Sequence, residues 1–328
     1  MTALTLLLLL LGCEHNEKDS HTEVFKTPEQ ALAERREKQL QAHKELAVSV
    51  LKFSRPDLQA APTDGAAITV QAEGVSRTID LTPIEEQLVK HPNEERATLR
   101  KFLADDLRNF DVDRLKKLSF DQIKSRGAYL LINAKDLAEM QKAAGPSPIA
   151  AQPIVSNVYR MAVVRAGDQA PAVPVTTEML GAWHRSTADL DAAIEHNLRE
   201  TLSRRHGSFL ETSPFGPVGR VGSLKSDVDP AIILLPEFLT ALRESWEMSD
   251  NLIVFVPSPT GILFVEEHNQ KLLDIVVPQW RKQLVASANP LCEQLLLRTP
   301  EKLSYAQYSP TSKPSTLPAT KPAPYFVH

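Results

Sequence analysis

The chain has 328 residues, 42% of them hydrophobic, with 37 Lys and Arg against 41 Asp and Glu and a formal net charge of −4. That length and apolar content suit one large domain or two small ones with a proper core. The interspersed charges remove the electrostatic reason to expect nucleic-acid binding or a polybasic membrane-surface patch, both of which need clustered cations.

Residues Ala3 to Leu11 are almost entirely apolar, Gly12 and Cys13 follow, and the chain then turns polar at Glu14. A membrane-crossing helix needs roughly 20 apolar residues. This run is about half that and fits the apolar region of a signal peptide, although no Lys or Arg precedes it. The Leu-Gly-Cys ending resembles a bacterial lipobox. The resemblance implies that residues 1–12 are removed, that Cys13 is acylated, and that residues 13–26 form a polar tether. Two or three acyl chains, at about 0.8 kcal/mol per buried methylene, hold a protein on a bilayer essentially permanently. Glu14 after the Cys resembles the outer-membrane sorting case where a cell has two membranes. With Cys13 acylated, only Cys292 remains of the two cysteines. It lies among leucines, with no local cation to activate its thiol, and reads as a small buried hydrophobe.

Thr27-Pro28-Glu29 carries a helix start: a capping hydroxyl, Pro at the first helical position and an acid in the first turn. The helix is expected to run to about Leu51, solvated in its charged first half. Ile68 and Val70, then Ile79 and Leu81, mark a hairpin turning near Glu73-Gly74. Thr82-Pro83-Ile84-Glu85 repeats the helix-start pattern, and helical spacing continues through Leu88, Leu99, Leu103 and Leu107. A short helix at 118–124, a strand at 128–132 and a helix at 134–143 follow. Gly145-Pro146-Ser147-Pro148 breaks the chain. It divides an N-terminal half, 27–145, from a C-terminal half, 150–306.

The second half opens with strands at Ile154-Val155 and Met161 to Val164. Thr176 and Ser186 cap the next two helices. Gly207 to Gly222 reads as a Gly- and Pro-containing loop, and Gly216 to Ser223, which carries Arg220, as a mobile surface stretch that would border a binding groove. Asp229-Pro230 starts a helical region from Ala231 to Leu242. Leu252 to Val256 and Gly261 to Val265 form a hairpin of β-branched residues and Phe. A helix at 272–285 with Pro278 inside it and a last hairpin around Thr299-Pro300-Glu301 complete the folded part. Residues 307–328 are rich in Pro, Ser, Thr and Lys and are expected to be disordered. Hairpins separated by helices define an α+β class, with short hairpins and a mixed sheet packed by helices.

Several motifs in this order resemble the bacterial family called domain of unknown function 1444. They are Gln152-Pro153-Ile154-Val155, Val173-Pro174-Val175 to Leu180 before Trp183, Ala193 to Asn197-Leu198, and Asp229 to Leu234 before the hydrophobic strand pair. The resemblance covers roughly 27–306. It implies the fold and carries no activity. Ser156 stands where the family has Arg, and the leader and Pro-rich tail are additions.

For chemistry, Asp227 and Asp229 would offer two carboxylates to a metal, but Asp229 before Pro230 reads better as a helix cap. Asp105, Asp106, Asp111 and Asp113 among Arg108, Arg114, Lys116 and Lys117 read as a solvated charged face. His184, His196, His206 and His268 lack zinc-type pairing. No nucleophile elbow, phosphate loop or dinucleotide fingerprint is present. His196, Arg220 and Asp229 are the binding candidates, with no cofactor, no metal and no catalytic residue assigned. The reading is a lipid-anchored protein of the cell envelope, facing the periplasm from the outer membrane if there are two membranes. It would bind an envelope protein or cell-wall partner. The alternatives are a hydrolase-like enzyme with dispersed residues, for which His196, Arg220 and Asp229 would share a pocket, and a carrier of an apolar ligand with a large apolar cavity.

Overall fold

A computed structural model describes residues 27–167, 170–205, 209–225, 228–246, 248, 251–258, 261–286 and 290–310. Cys13, the tether and residues 311–328 lie outside the described residues. Helix α1 (Pro28–Ser54) begins with a full capping box between Thr27 and Gln30. Its residues 28–42 are exposed apart from half-buried Glu34 and Leu40. From His43 onward it packs, through His43, Ala47, Val48, Val50 and Leu51.

Strands β1 (Gln59–Thr63), β2 (Ala67–Ala72) and β3 (Val75–Asp80) form an antiparallel sheet in that order. The β2–β3 turn is the two-residue Glu73-Gly74, both at positive φ (46° and 77°), the backbone a tight hairpin requires. Helix α2 (Thr82–Lys90) is started by Asp80, whose Oδ1 accepts from the backbone and hydroxyl of Thr82. Helix α3 (Glu95–Lys117) lies against α1 and α2, closing a core of Leu51, Ile68, Ile79, Leu88, Leu99 and Phe110.

Helix α4 (Phe120–Ile123), strand β4 (Gly127–Asn133), helix α5 (Ala134–Ala144) and strands β5 (Ala151–Val155), β6 (Val158–Arg165) and β7 (Ala172–Pro174) make the second sheet. Strand β6 pairs with β4 from Asn133↔Val158 to Gly127↔Val164, and its other edge takes β5 and then β7. The Gly145–Pro148 break therefore lies within a sheet that joins residues from both sides of it. The cores divide elsewhere, between Phe110 and Leu115 of α3.

Helices α6 (Thr177–Ala182) and α7 (Thr187–Arg205) precede strands β8 (Leu210–Pro214) and β9 (Arg220–Leu224). A 3-10 turn (Pro230–Leu234), helix α8 (Glu237–Trp246), strands β10 (Leu252–Ser258) and β11 (Gly261–Glu266), helix α9 (Gln270–Ala286) and strands β12 (Leu296–Arg298) and β13 (Leu303–Tyr305) follow. The third sheet runs β13-β12-β10-β11-β9-β8, all antiparallel. Alternation along β10 sends Ile253 and Phe255 to the α9 face, against Val276, Val277 and Trp280. Leu252 and Val254 go to the other face, where they join Phe238, Leu242, Ile194 and Leu198 from α8 and α7.

The α+β class stands as read, with corrections in detail. The expected loop at 207–222 is, over Leu210–Leu224, the edge hairpin β8–β9. The expected helix Ala231–Leu242 is split, because Pro236 has no N–H to continue it. Strand β1 has no counterpart in the reading of the sequence. The expected tail starts too early: the Tyr308 hydroxyl donates to Asp274 and the Ser309 carbonyl accepts from Gln270, so the chain stays on α9.

Candidate functional site

Helix α7 builds the site. Ser186 caps it reciprocally: the Asp189 N–H donates to Ser186 Oγ (3.2 Å) and the Ser186 N–H to Asp189 Oδ2 (2.9 Å). Leu190, Ile194, Leu198 and Leu202 recur every four residues and are buried. Asp191, Glu195 and Arg199 recur with the same spacing and form the adjoining stripe.

That stripe is a polar ladder anchored on the second sheet. The Tyr129 hydroxyl of β4 donates to Asp191 Oδ1, and Gln152 Nε2 of β5 donates to Asp191 Oδ2 at 2.8 Å. Arg160 stands directly opposite Gln152 across the β5–β6 pair and donates to its Oε1 through Nε (3.1 Å) and Nη2 (2.6 Å). The same guanidinium is 3.6 Å from both Asp191 and Glu195 and lies 4.9 Å from the Tyr129 ring centroid. Glu195 pairs with Arg199 at 3.2 Å, and Arg199 Nε donates to Glu237 of α8 at 2.8 Å. Burial, and then the bond to Asp191, push the Tyr129 hydroxyl far above the usual phenol range. Burial opposes the Glu237 charge, but the Arg199 pairing outweighs it and holds this carboxyl below its ordinary range.

The ladder ends at an open groove between α7 and α8, with a volume of about 860 Å³. Leu202, Ala241 and Trp246 supply its apolar surface, Ser203, Thr240 and Ser245 its hydroxyls, and Arg199, Glu237 and Glu244 its charges. Arg199 and Glu237 pair across the two helices, whereas exposed Glu244 has no hydrogen-bond or ion-pair partner among the described residues. The half-buried Trp246 ring stacks on Phe264 at 5.8 Å and 29°. Gly222 permits this, since a Cβ there would come within 2.2 Å of Phe264 and 2.6 Å of Trp246.

Arg220 touches Trp246 but is not among the groove-lining residues: its guanidinium donates to the Trp246 carbonyl and lies 5.9 Å from the indole centroid. His196 is exposed on α7 and is not among the groove-lining residues. Asp229 is the cap expected of it, its Oδ1 accepting from the Ala231 N–H at 2.9 Å. Its carboxyl also takes the Tyr129 N–H, from the edge of β4 that β6 leaves open. Burial pushes Asp229 up to about 6 despite these two bonds and nearby Arg165. No hydrogen bond or ion pair joins any two of His196, Arg220 and Asp229. Cys13, His206 and Asp227 lie outside the described residues. The buried Cys292 thiol donates to the Gln294 carbonyl at 3.2 Å and is pushed up by burial, away from reactivity. Among the described residues no cluster of three or more His, Cys, Asp and Glu could hold a metal, and no helix is long and apolar enough to cross a membrane.

A second polar cluster was invisible in the sequence. Arg55, at the end of α1, grips Asp111 of α3 through two bonds (2.8 and 2.9 Å) and Asp57 through two more (2.9 and 3.0 Å). Arg114 donates to Asp57 (2.9 Å) and Glu73 (2.8 Å). Arg126 lies 3.6 Å from Glu73 and donates to the Ala166 carbonyl at 2.8 Å. Arg55, Asp111 and Arg114 are 4%, 0% and 4% exposed, so the solvated charged face expected around Asp111 is partly interior. Burial opposes the Asp57 charge, but Arg55 and Arg114 outweigh it and hold that carboxyl low; the bond from Arg114 does the same for Glu73. The cluster welds the α1–α3 unit to the following sheet. It exposes too little to receive a ligand.

No known protein family matches the chain, and no curated protein and no solved structure is significantly similar to it.

Proposed function

We propose that the protein is a non-catalytic binding module of the cell envelope, lipid-anchored through Cys13, that engages an envelope protein through the groove between α7 and α8. The observation that carries this reading is the groove itself. It is open, it mixes an apolar floor with hydroxyls, and the Arg199–Glu237 bridge holds its walls in register. Such a surface suits a polypeptide, whose backbone carbonyls and N–H groups need polar partners while its side chains need apolar ones. The ladder from Tyr129 to Glu237 supports the same reading in a different way. Its polar groups are engaged with one another, which stiffens α7 as one wall and spends hydrogen bonds on position. The resemblance to the domain of unknown function 1444 family is part of the proposal and contributes an element order without an activity.

Anchoring is tested by labelling cells with a palmitate analogue: the native chain takes up label and Cys13→Ala does not. The groove is tested in the same cells with a photo-crosslinking amino acid in place of Thr240 in the groove, or of Lys282 on exposed α9. A discrete protein adduct from position 240 and none from position 282 is expected. Adducts to cell-wall polymer alone, or equal adducts from both positions, would refute the reading.

A further inference from the structure

Among the described residues the groove has one unbalanced feature, the exposed Glu244 carboxylate, which has no partner there and lines the groove together with an indole and an apolar floor. The chain carries a segment of matching chemistry. Residues 311–328 hold prolines at 314, 318, 322 and 324, lysines at 313 and 321, no Asp or Glu, and an aromatic pair, Tyr325-Phe326. Pro-rich segments favour an extended left-handed helix without internal hydrogen bonds, which leaves every carbonyl free to accept. Aromatic-lined grooves with polar rims recognise such segments, because little ordering entropy is lost on docking.

We propose that the protein's own residues 311–328 occupy the α7–α8 groove, with Lys321 paired to Glu244 and the flanking prolines and aromatics on Trp246 and Leu202. The inference rests on the groove reading above and makes the tail an internal competitor of the partner. Reach permits it. The chain leaves α9 at Pro310, just after the Ser309 carbonyl held by Gln270. Lys321 is the eleventh residue after Pro310, and eleven residues at about 3.1 Å each extend roughly 34 Å. The third sheet separates α9 from α8, and its six strands are about 24 Å across at ~4.8 Å spacing. Tethering also sets an effective concentration on the order of millimolar, so a weak contact suffices to fill the groove.

The full-length protein is treated with a carbodiimide, which joins a carboxylate to an amine only where the two already touch, and the products are mapped by mass spectrometry. A Glu244–Lys321 link is expected. It should fall at least tenfold in Trp246→Ala and vanish in Glu244→Gln. Mixing heavy-isotope and normal chains assigns the link: within one chain it supports the proposal, and only between chains it overturns it. As a second measurement, a protease site placed after Pro310 is cut in the folded protein and its melting curve is checked. A synthetic 311–328 peptide should then bind the cut, tail-free protein saturably. It should bind the uncut protein at least tenfold more weakly. Glu244→Lys should lose binding of the native peptide and regain it with a Lys321→Glu peptide. Absence of the link together with absence of peptide binding overturns the inference. If the position-240 adduct survives that result, the partner reading stands alone; if the adduct is lost as well, the groove reading falls with it.

Discussion

Around Arg55, two arginines and three carboxylates are packed largely out of solvent, whereas along α7 similar residue types form a ladder that stays half open and ends at a groove. The sealed cluster carries a desolvation cost that its bonds must offset, so removing one member strands a buried charge. At the outer rungs of the ladder, Glu195, Arg199 and Glu237, water can replace a lost partner and each link contributes little to stability, whereas Tyr129 at its base is buried. The contrast teaches that burial, more than residue type, separates a weld from an open groove. It also tells where substitutions should unfold the protein and where they should leave the fold standing.

The sharpest way to break the contrast is Asp111→Ala, which leaves Arg55 with Asp57 alone. A loss of about 3–5 kcal/mol is expected, read as a lower urea midpoint at unchanged slope. A loss under ~1 kcal/mol would mean that the cluster is not a weld. Gly222→Val comes next, because its side chain would enter the space of Phe264 and Trp246. It should cost about 1–3 kcal/mol and shift Trp246 emission, while Trp183 and Trp280 stay buried. Tyr129→Phe tests the ladder, removing the hydroxyl donated to Asp191. A loss of about 1–2 kcal/mol in chemical denaturation is expected, below that of Asp111→Ala.

Individual carboxyls should answer pH with opposite sign within each region: burial raises Asp111 inside the weld while Arg55 and Arg114 hold Asp57 low, and Arg199 holds Glu237 low on the ladder while burial raises Asp229 beside it. Asp57 and Glu73 titrate below their ordinary range when folded, so their contribution is complete above about pH 4 and lost as pH falls. Asp229, beside the ladder, is raised to about 6, so the folded protein holds a proton that the unfolded chain has released. Stability should therefore decline as pH rises from about 4 through 6, by on the order of 1 kcal/mol after allowing for partial exposure. Asp229→Asn should flatten that decline and leave the acid-side loss intact; an unchanged slope would contradict the assignment. His196→Ala is expected to have the smallest effect, within about 0.5 kcal/mol, because the side chain is exposed.

Local signals made much of the fold legible. Thr27, Thr176 and Ser186 each cap the helix they precede. Glu73-Gly74 turns its hairpin, and β10 and β11 keep the apolar runs they were read from. Strands β8 and β9 were hidden because Leu-Glu-Thr-Ser-Pro and Arg-Val-Gly-Ser-Leu have no sustained alternation, and Gly222 reads as a loop residue until Phe264 and Trp246 fill the space above it. The weld was hidden because Arg55 and Asp111 are 56 residues apart and no local pattern links them. The ladder left one usable trace, the charged stripe Asp191–Glu195–Arg199 beside the leucine-rich one. Glu244 and Trp246 left none, since a free carboxylate near a Trp becomes a site only when a second helix supplies the facing wall.

The central claim is that the α7–α8 groove is the protein's binding surface, and its most direct test is charge reversal at Glu244 in intact cells, in a chain that stops at Pro310 so that the tail cannot compete and that carries the crosslinker at position 240. Loss of the partner adduct is expected, with a melting temperature unchanged from the parent chain. An adduct of undiminished yield from a fully folded Glu244→Lys protein would contradict it.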